Sequence, residues 1–84
     1  MNGSRNTIIV HTPDSRAIAA LAFNRATATL RIKFKSGKTW AYPDCSRQRF
    51  TAFRNAPSKG GYYNHNFKPA FTGKGRPVYG AAAL

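Results

Sequence analysis

The stretch FKSGKTWAYP, residues 34–43, decides the fold because it sets the register of a β-hairpin. It follows ATLRIKF, residues 28–34, in which apolar and cationic side chains alternate as they do in a half-buried strand. A two-residue loop at Ser36-Gly37 would place Trp40 and Tyr42 on the cationic face, as a platform for nucleic-acid bases. A three-residue loop with a bulge would place both rings on the apolar face instead.

The turn chemistry favours the bulged loop. Tight two-residue turns prefer Asn-Gly or Asp-Gly, whereas Ser-Gly suits a loop with Gly37 in the left-handed conformation at the third position. The paired residues are then Phe34 with Lys38, Ile32 with Trp40, and Leu30 with Tyr42. The sequence therefore predicts that these aromatic rings help to build the sheet, with the lysines around them left to meet a partner.

A second hairpin is predicted before this one. The run RAIAALAF, residues 16–23, leads through the polar loop NRAT into the alternating strand. A four-residue loop over residues 24–27 sets Leu21 opposite Leu30, and Phe23 opposite Ala28.

A helix is predicted after the hairpins. Ser46 is a good N-cap, and Cys45 before it can pack on Phe50 as a hydrophobic staple. Phe50 and Phe53 share one helical face, and Pro57 ends the helix.

The stretch SKGGYYNHNFKPAF, residues 58–71, carries three aromatic residues at four-residue spacing, Tyr63, Phe67 and Phe71. A short helix or a wrapped loop would lay these rings on the sheet as a cap of the core. The pair Gly60-Gly61 argues against a regular helix at its start, and Pro69 argues against a long one.

The two ends of the chain carry weaker signals. TIIV, residues 7–10, is β-prone and predicts either an edge strand or a docking arm. TGKGRPVYGAAAL, residues 72–84, has no apolar periodicity and predicts a flexible basic tail.

Together these elements predict one α+β domain. Its expected architecture is a small antiparallel three-stranded β-meander packed against one α-helix, with a C-terminal aromatic loop or short helix and flexible termini. The expected boundaries are an N-terminal arm at 1–13, a domain at 14–71 and a tail at 72–84.

The order of these motifs resembles that of the KTSC domain, which is named for its place at the C-terminus of some lysyl-tRNA synthetases and also occurs as a free-standing protein. The matching residues are Ser15, Ile18, Phe23, Leu30, Ile32, Phe34, Gly37, Trp40, Tyr42, Phe50, Ala56, Ser58, Gly60, Tyr63 and Asn64. The usual Tyr-x-Tyr is here Trp40-Ala41-Tyr42, and Cys45-Ser46 replaces a Val-Pro pair. The resemblance implies the fold. It suggests RNA binding only through the synthetase association, and members in phage-like contexts leave a protein-inhibitor role open.

Charge is the strongest guide to a partner. Fourteen Lys and Arg oppose two acids, which gives a formal net charge of +12. Such a chain is drawn to polyanions, with nucleic acid first. The resemblance to a synthetase-associated domain, not the charge, suggests RNA before DNA. The candidate nucleic-acid-binding residues are Arg31, Lys33, Lys35, Lys38, Arg47, Arg49, Arg54, Lys59 and Lys68. The alternative is an inhibitor or accessory factor, of phage origin for example, that docks on an acidic surface of a larger nucleic-acid-processing machine.

Several other classes find no support in the sequence. His11 and His65 are the two histidines, and their separation gives no sign of a ribonuclease, so no enzyme is expected. Clustered metal ligands, a cofactor motif and a small-molecule site are lacking from the pattern. A single cysteine, Cys45, fits a reducing compartment, and no apolar run is long enough for a bilayer. A cytoplasmic location without membrane contact is therefore expected.

Overall fold

The computed structural model describes residues 7–78. The five strands are β1 (Thr7–His11), β2 (Ile18–Asn24), β3 (Thr29–Phe34), β4 (Thr39–Tyr42) and β5 (Arg76–Val78). The helices are α1 (Arg47–Asn55), α2 (Lys59–Tyr62) and α3 (Lys68–Ala70). A π-helical turn (Tyr63–Phe67) joins α2 to α3. We refer to residues 59–70 as the C-terminal helical segment.

Within residues 7–78 the sheet has five antiparallel strands in the order β1-β2-β3-β4-β5. The predicted α+β class and antiparallel meander are confirmed, but three strands are fewer than the sheet has. Of the two alternatives predicted for TIIV, an edge strand or a docking arm, the structure shows the edge strand, β1. β5 falls in the predicted tail, where it has three residues and includes Pro77. Because proline lacks a backbone N–H, it argues against a strand in the sequence, although an edge strand tolerates it. The sequence pattern therefore did not predict β5.

The predicted register of the β3–β4 hairpin is confirmed. Ile32 lies opposite Trp40, and Leu30 lies opposite Tyr42. The Phe34 backbone N–H donates to the Lys38 carbonyl at 2.8 Å, which closes the three-residue loop. Gly37 has φ +101°, and a Cβ built there would meet no atom within 4 Å. Backbone conformation, rather than space, is therefore the reason for glycine at this position.

The predicted register of the β2–β3 hairpin is wrong by two residues. Phe23 lies opposite Leu30, where Ala28 was expected, and Leu21 lies opposite Ile32. The strand continues through Asn24, whose Oδ1 accepts from the backbone N–H groups of residues 26 and 27 at 2.9 and 3.3 Å. This side-chain turn moves the loop to residues 25–28. A register shift of two residues leaves the same side chains on the core face of the sheet, so the prediction of which residues face the core is still correct.

The core lies between one face of the sheet and the helices. Ser46 caps α1 as predicted, accepting at Oγ from the backbone N–H of Arg49 at 3.1 Å. Phe50 and Phe53 are both buried, and Phe50 stacks on Phe23 of β2 with ring centroids 4.8 Å apart. Cys45 is fully buried in the same cluster.

The C-terminal helical segment begins where the sequence argued against a helix. Its N-cap is Ser58, whose Oγ accepts from the Gly61 N–H at 3.1 Å, so the capping bond offsets part of the cost of two glycines. Pro69 is in the first turn of α3, which tolerates proline. Phe67 and Phe71 are buried and stacked at 4.4 Å, which confirms that these rings cap the core. The flexible tail was predicted for residues 72–84, but Arg76–Val78 forms β5, so the prediction is wrong for that part. For residues 1–6 and 79–84 the predicted flexibility lies outside the described residues.

Burial raises the pKa of the Cys45 thiol to about 11, against a smaller opposite effect of the Arg49 charge. The folded chain therefore keeps the thiol proton at pH values where an unfolded thiol, with a pKa of about 8.5, has lost it. Two results are expected: no reaction with a disulfide reagent at about pH 8 until urea unfolds the chain, and a fall in the free energy of unfolding from about pH 9 to 11. The Cys45→Ala variant should show a shallower fall. A native thiol as reactive as the unfolded one would contradict this placement.

Candidate nucleic-acid interface

A groove of about 520 Å³ opens between the β3–β4 hairpin and the C-terminal helical segment. Its aromatic lining residues are Phe34, Trp40, Tyr42, Tyr63 and Phe71. Lys38 directly follows the hairpin loop, and Lys68 belongs to α3. Among the described residues that line it, none is acidic. We call this surface the aromatic groove.

The two rings of the WAY motif have different roles here. Tyr42 is only 6% exposed and contacts Phe67 and Phe71 edge-on, with centroids 5.0 and 6.0 Å away. Trp40 packs against the core but stays partly exposed at the groove. The register prediction placed both rings on the apolar face, which is right. It could not show that the helical segment leaves one of them partly open.

A hydrogen bond joins the two tyrosine hydroxyls of the groove. The Oη atoms of Tyr42 and Tyr63 lie 3.2 Å apart. Burial, and then this hydrogen bond, raise the pKa of Tyr42 well above its ordinary value, so its phenol stays protonated at neutral pH. The Gly75 backbone packs closely against the same ring. A Cβ at this position would lie 2.5 Å from the Tyr42 Cε2 atom, so only glycine fits there. The tyrosine ring is thus held between the helical segment and the turn before β5.

A second groove, of about 500 Å³, lies between the loop that precedes β2 and the turn that links α1 to α2. It brings together two predicted residues, Arg54 and Lys59, and adds Arg16. Lys59 Nζ donates to the Ala56 carbonyl at 2.6 Å, so this amine is partly engaged within the protein. The lining also includes Asp14, which makes this groove mixed in charge.

The outer face of the sheet carries two predicted cations of β3, Arg31 and Lys33. Both are half-buried and project away from the core, since they alternate with the buried Leu30 and Ile32. The strand register continues this row towards Arg76 of β5, which lies opposite the same β4 position as does Arg31.

The remaining predicted residues occupy separate positions. Arg47 is exposed in the first turn of α1, and Arg49 has its guanidinium carbon 5.4 Å from the centroid of the Phe71 ring. Lys35 Nζ donates to the Pro13 carbonyl at 2.8 Å, which draws it towards the loop before β2.

The nine predicted cations therefore do not form one surface. The helices pack on the core face of the sheet, whereas Arg31 and Lys33 project from the opposite face. The structure joins Lys38 with Lys68 at the aromatic groove, and Arg54 with Lys59 at the second groove. Sequence reasoning did not assign Trp40, Tyr63 or Arg16 to a site. For the two aromatic residues the reason is that strand alternation does not show which rings a later helix leaves uncovered.

Other kinds of site find little basis in the described chain. Between residues 7 and 78 there is no group of three His, Cys, Asp or Glu side chains that could hold a metal ion. Within the same range, no helix is long and apolar enough to cross a membrane.

Comparison with known proteins places this fold. The family model of the KTSC domain matches residues 14–71. The crystal structure of a KTSC domain protein from Yersinia pestis superposes with a TM-score of 0.72 at 21% sequence identity, covering 87% of this chain and 99% of the other. Among the curated proteins, no relative matches. At this identity the structural likeness concerns the fold alone.

Proposed function

The chain belongs to the KTSC domain family, and we propose that this member binds single-stranded nucleic acid, with RNA as the expected ligand. The observation that carries the proposal is the imbalance of fourteen cationic side chains against two acids. A net charge of +12 strains a small folded chain by self-repulsion, and a polyanion relieves that strain.

The placement of the cations supports a flexible ligand over a rigid one. The molecule measures 33 × 25 × 24 Å, and its candidate cations lie on both sides of the sheet. A duplex, with a persistence length of about 50 nm, would reach one face only. A single strand can turn around the sheet edge and meet Arg31 on the outer face and Lys38 at the aromatic groove. The resemblance to a synthetase-associated domain favours RNA over DNA.

The expected mode of binding is dominated by the phosphate backbone. Lys and Arg contacts to phosphate release counterions and carry little sequence information. We therefore expect moderate affinity, with a Kd of about 10⁻⁴ to 10⁻⁶ M near physiological salt, and little dependence on base sequence.

The test is a titration of a fluorescently labelled, unstructured RNA, followed by anisotropy, with polyglutamate of matched charge as competitor. We expect saturable RNA binding that polyglutamate displaces poorly. Absence of binding would contradict the proposal. Equal or better competition by polyglutamate would also contradict it, and would favour docking on an acidic protein surface.

A further inference from the structure

We propose that the aromatic groove binds an unpaired nucleobase, stacked against Trp40, while Lys38 and Lys68 contact the phosphates on either side of it. The inference rests on the proposed function and adds a base-binding site to a surface otherwise suited to phosphate. A volume of about 520 Å³ is of the size that small-molecule groups occupy in proteins.

Trp40 differs from every Phe and Tyr ring in the described chain. Between residues 7 and 78, each Phe and Tyr side chain lies in stacking, tilted or edge contact with another ring. Trp40 has no such partner within that range, and it is partly exposed on the wall of an open groove. An indole face without a ring partner is a ready stacking surface for a base.

The charges around the groove match a nucleotide better than an apolar peptide. Lys38 and Lys68 are exposed and come from different elements that line the groove. Each can meet one phosphate of a strand whose base lies between them. The two acids of the chain, Asp14 and Asp44, are not among the described lining residues, so neither of these side chains repels that phosphate.

The paired tyrosine hydroxyls add a polar group to the same groove. Tyr42 and Tyr63 share one hydrogen bond, which leaves one phenolic proton and several lone pairs unused by that bond. A base edge can both donate to and accept from such a pair. Because purines and pyrimidines can both do so, this contact orients the bound base without strongly selecting its identity.

The experiment uses the fact that Trp40 is the one tryptophan of the chain. The native protein is titrated with labelled oligouridylate and, separately, with an abasic ribose-phosphate oligomer of the same length. Label anisotropy reports binding, and tryptophan emission reports stacking. We expect the oligouridylate to quench the emission and to bind about 5- to 150-fold more tightly than the abasic oligomer, which should leave the emission unchanged.

The outcomes separate the two proposals. If neither oligomer changes the anisotropy, the proposed function fails. If both bind equally and neither quenches the emission, phosphate binding stands and the base-binding groove is overturned. Quenching by both oligomers would also overturn it, because a base would not be needed.

Two variants and a control sharpen the assignment. Trp40→Leu keeps an apolar side chain, and with its fold checked by circular dichroism it should bind oligouridylate about 5- to 150-fold more weakly. Lys68→Gln should lower the salt dependence of binding by about 0.7 in logarithmic slope. The matched control is Arg25→Gln, in the loop at the other end of β3, which should retain the full quenching at saturation. Loss of quenching in the control but not in Lys68→Gln would contradict the site.

Discussion

Replacing Phe67 by alanine is expected to lower the free energy of unfolding by about 3–5 kcal/mol. Phe67 is fully buried, and its ring contacts rings from three parts of the fold. The centroids of Tyr42, Phe53 and Phe71 lie 5.0, 5.4 and 4.4 Å away. Alanine would leave a cavity where the sheet, α1 and the C-terminal helical segment meet.

The loss is large relative to the whole. A chain of 84 residues is expected to have a total free energy of unfolding of about 4–13 kcal/mol. The expected loss is therefore comparable with the lower end of that total. Urea unfolding followed by circular dichroism measures the change. The control is Phe34→Ala, which removes a half-buried ring that contacts Tyr63 edge-on and should cost about 1–2 kcal/mol. Equal costs for the two variants would contradict the central position of Phe67.

Local chemistry explains which parts of the fold were predictable. The β3–β4 register depends on one turn, and Ser36-Gly37 specifies that turn through the backbone freedom of glycine. The β2–β3 register was wrong because it depends on the side chain of Asn24, whose hydrogen bonds extend the strand by one residue before the loop begins. Propensity alone does not indicate that bond.

The two elements that were missed or misjudged depend on tertiary context. The Gly60-Gly61 pair disfavours a helix in isolation, yet burial of Phe67 and Phe71 stabilises the segment that follows. β5 is a strand because it pairs with the edge of β4, although Pro77 in its own sequence argues against a strand. Neither partner is visible from the local sequence.

The candidate site divides in the same way. The sequence identified the cations by type, and composition suffices for that. Strand alternation also places Arg31 and Lys33 on the outer face. The grouping of other cations at two grooves depends on the path of the C-terminal helical segment, which sequence reasoning left open. For that reason Lys68, thirty positions from Lys38 in the chain, was not recognised as a neighbour of Lys38 and Trp40 at one groove.

The affinity for RNA is expected to fall steeply with salt. If about six of the nine candidate cations each neutralise one phosphate of a single strand, the logarithmic slope is about −4. A rise from about 50 to 200 mM salt then weakens binding about 300-fold. The reason is entropic, since each neutralised phosphate releases a condensed counterion whose release is less favourable at high salt.

A charge-removed variant provides the internal control for this slope. Lys38→Gln combined with Lys68→Gln removes both lysines of the aromatic groove and should reduce the slope by about 1.4. The same substitutions lie at exposed positions and should leave the unfolding midpoint in urea nearly unchanged. A slope that stays the same would mean that these lysines do not meet phosphate.

The most direct test of nucleic-acid binding is therefore the Kd for an unstructured RNA, measured by anisotropy across a salt series. The account predicts saturable binding at low salt and a straight line of log affinity against log salt, with a slope of about −4. Binding that is weak and flat across the series would contradict it, because a chain of net charge +12 that holds RNA through phosphate cannot be indifferent to salt.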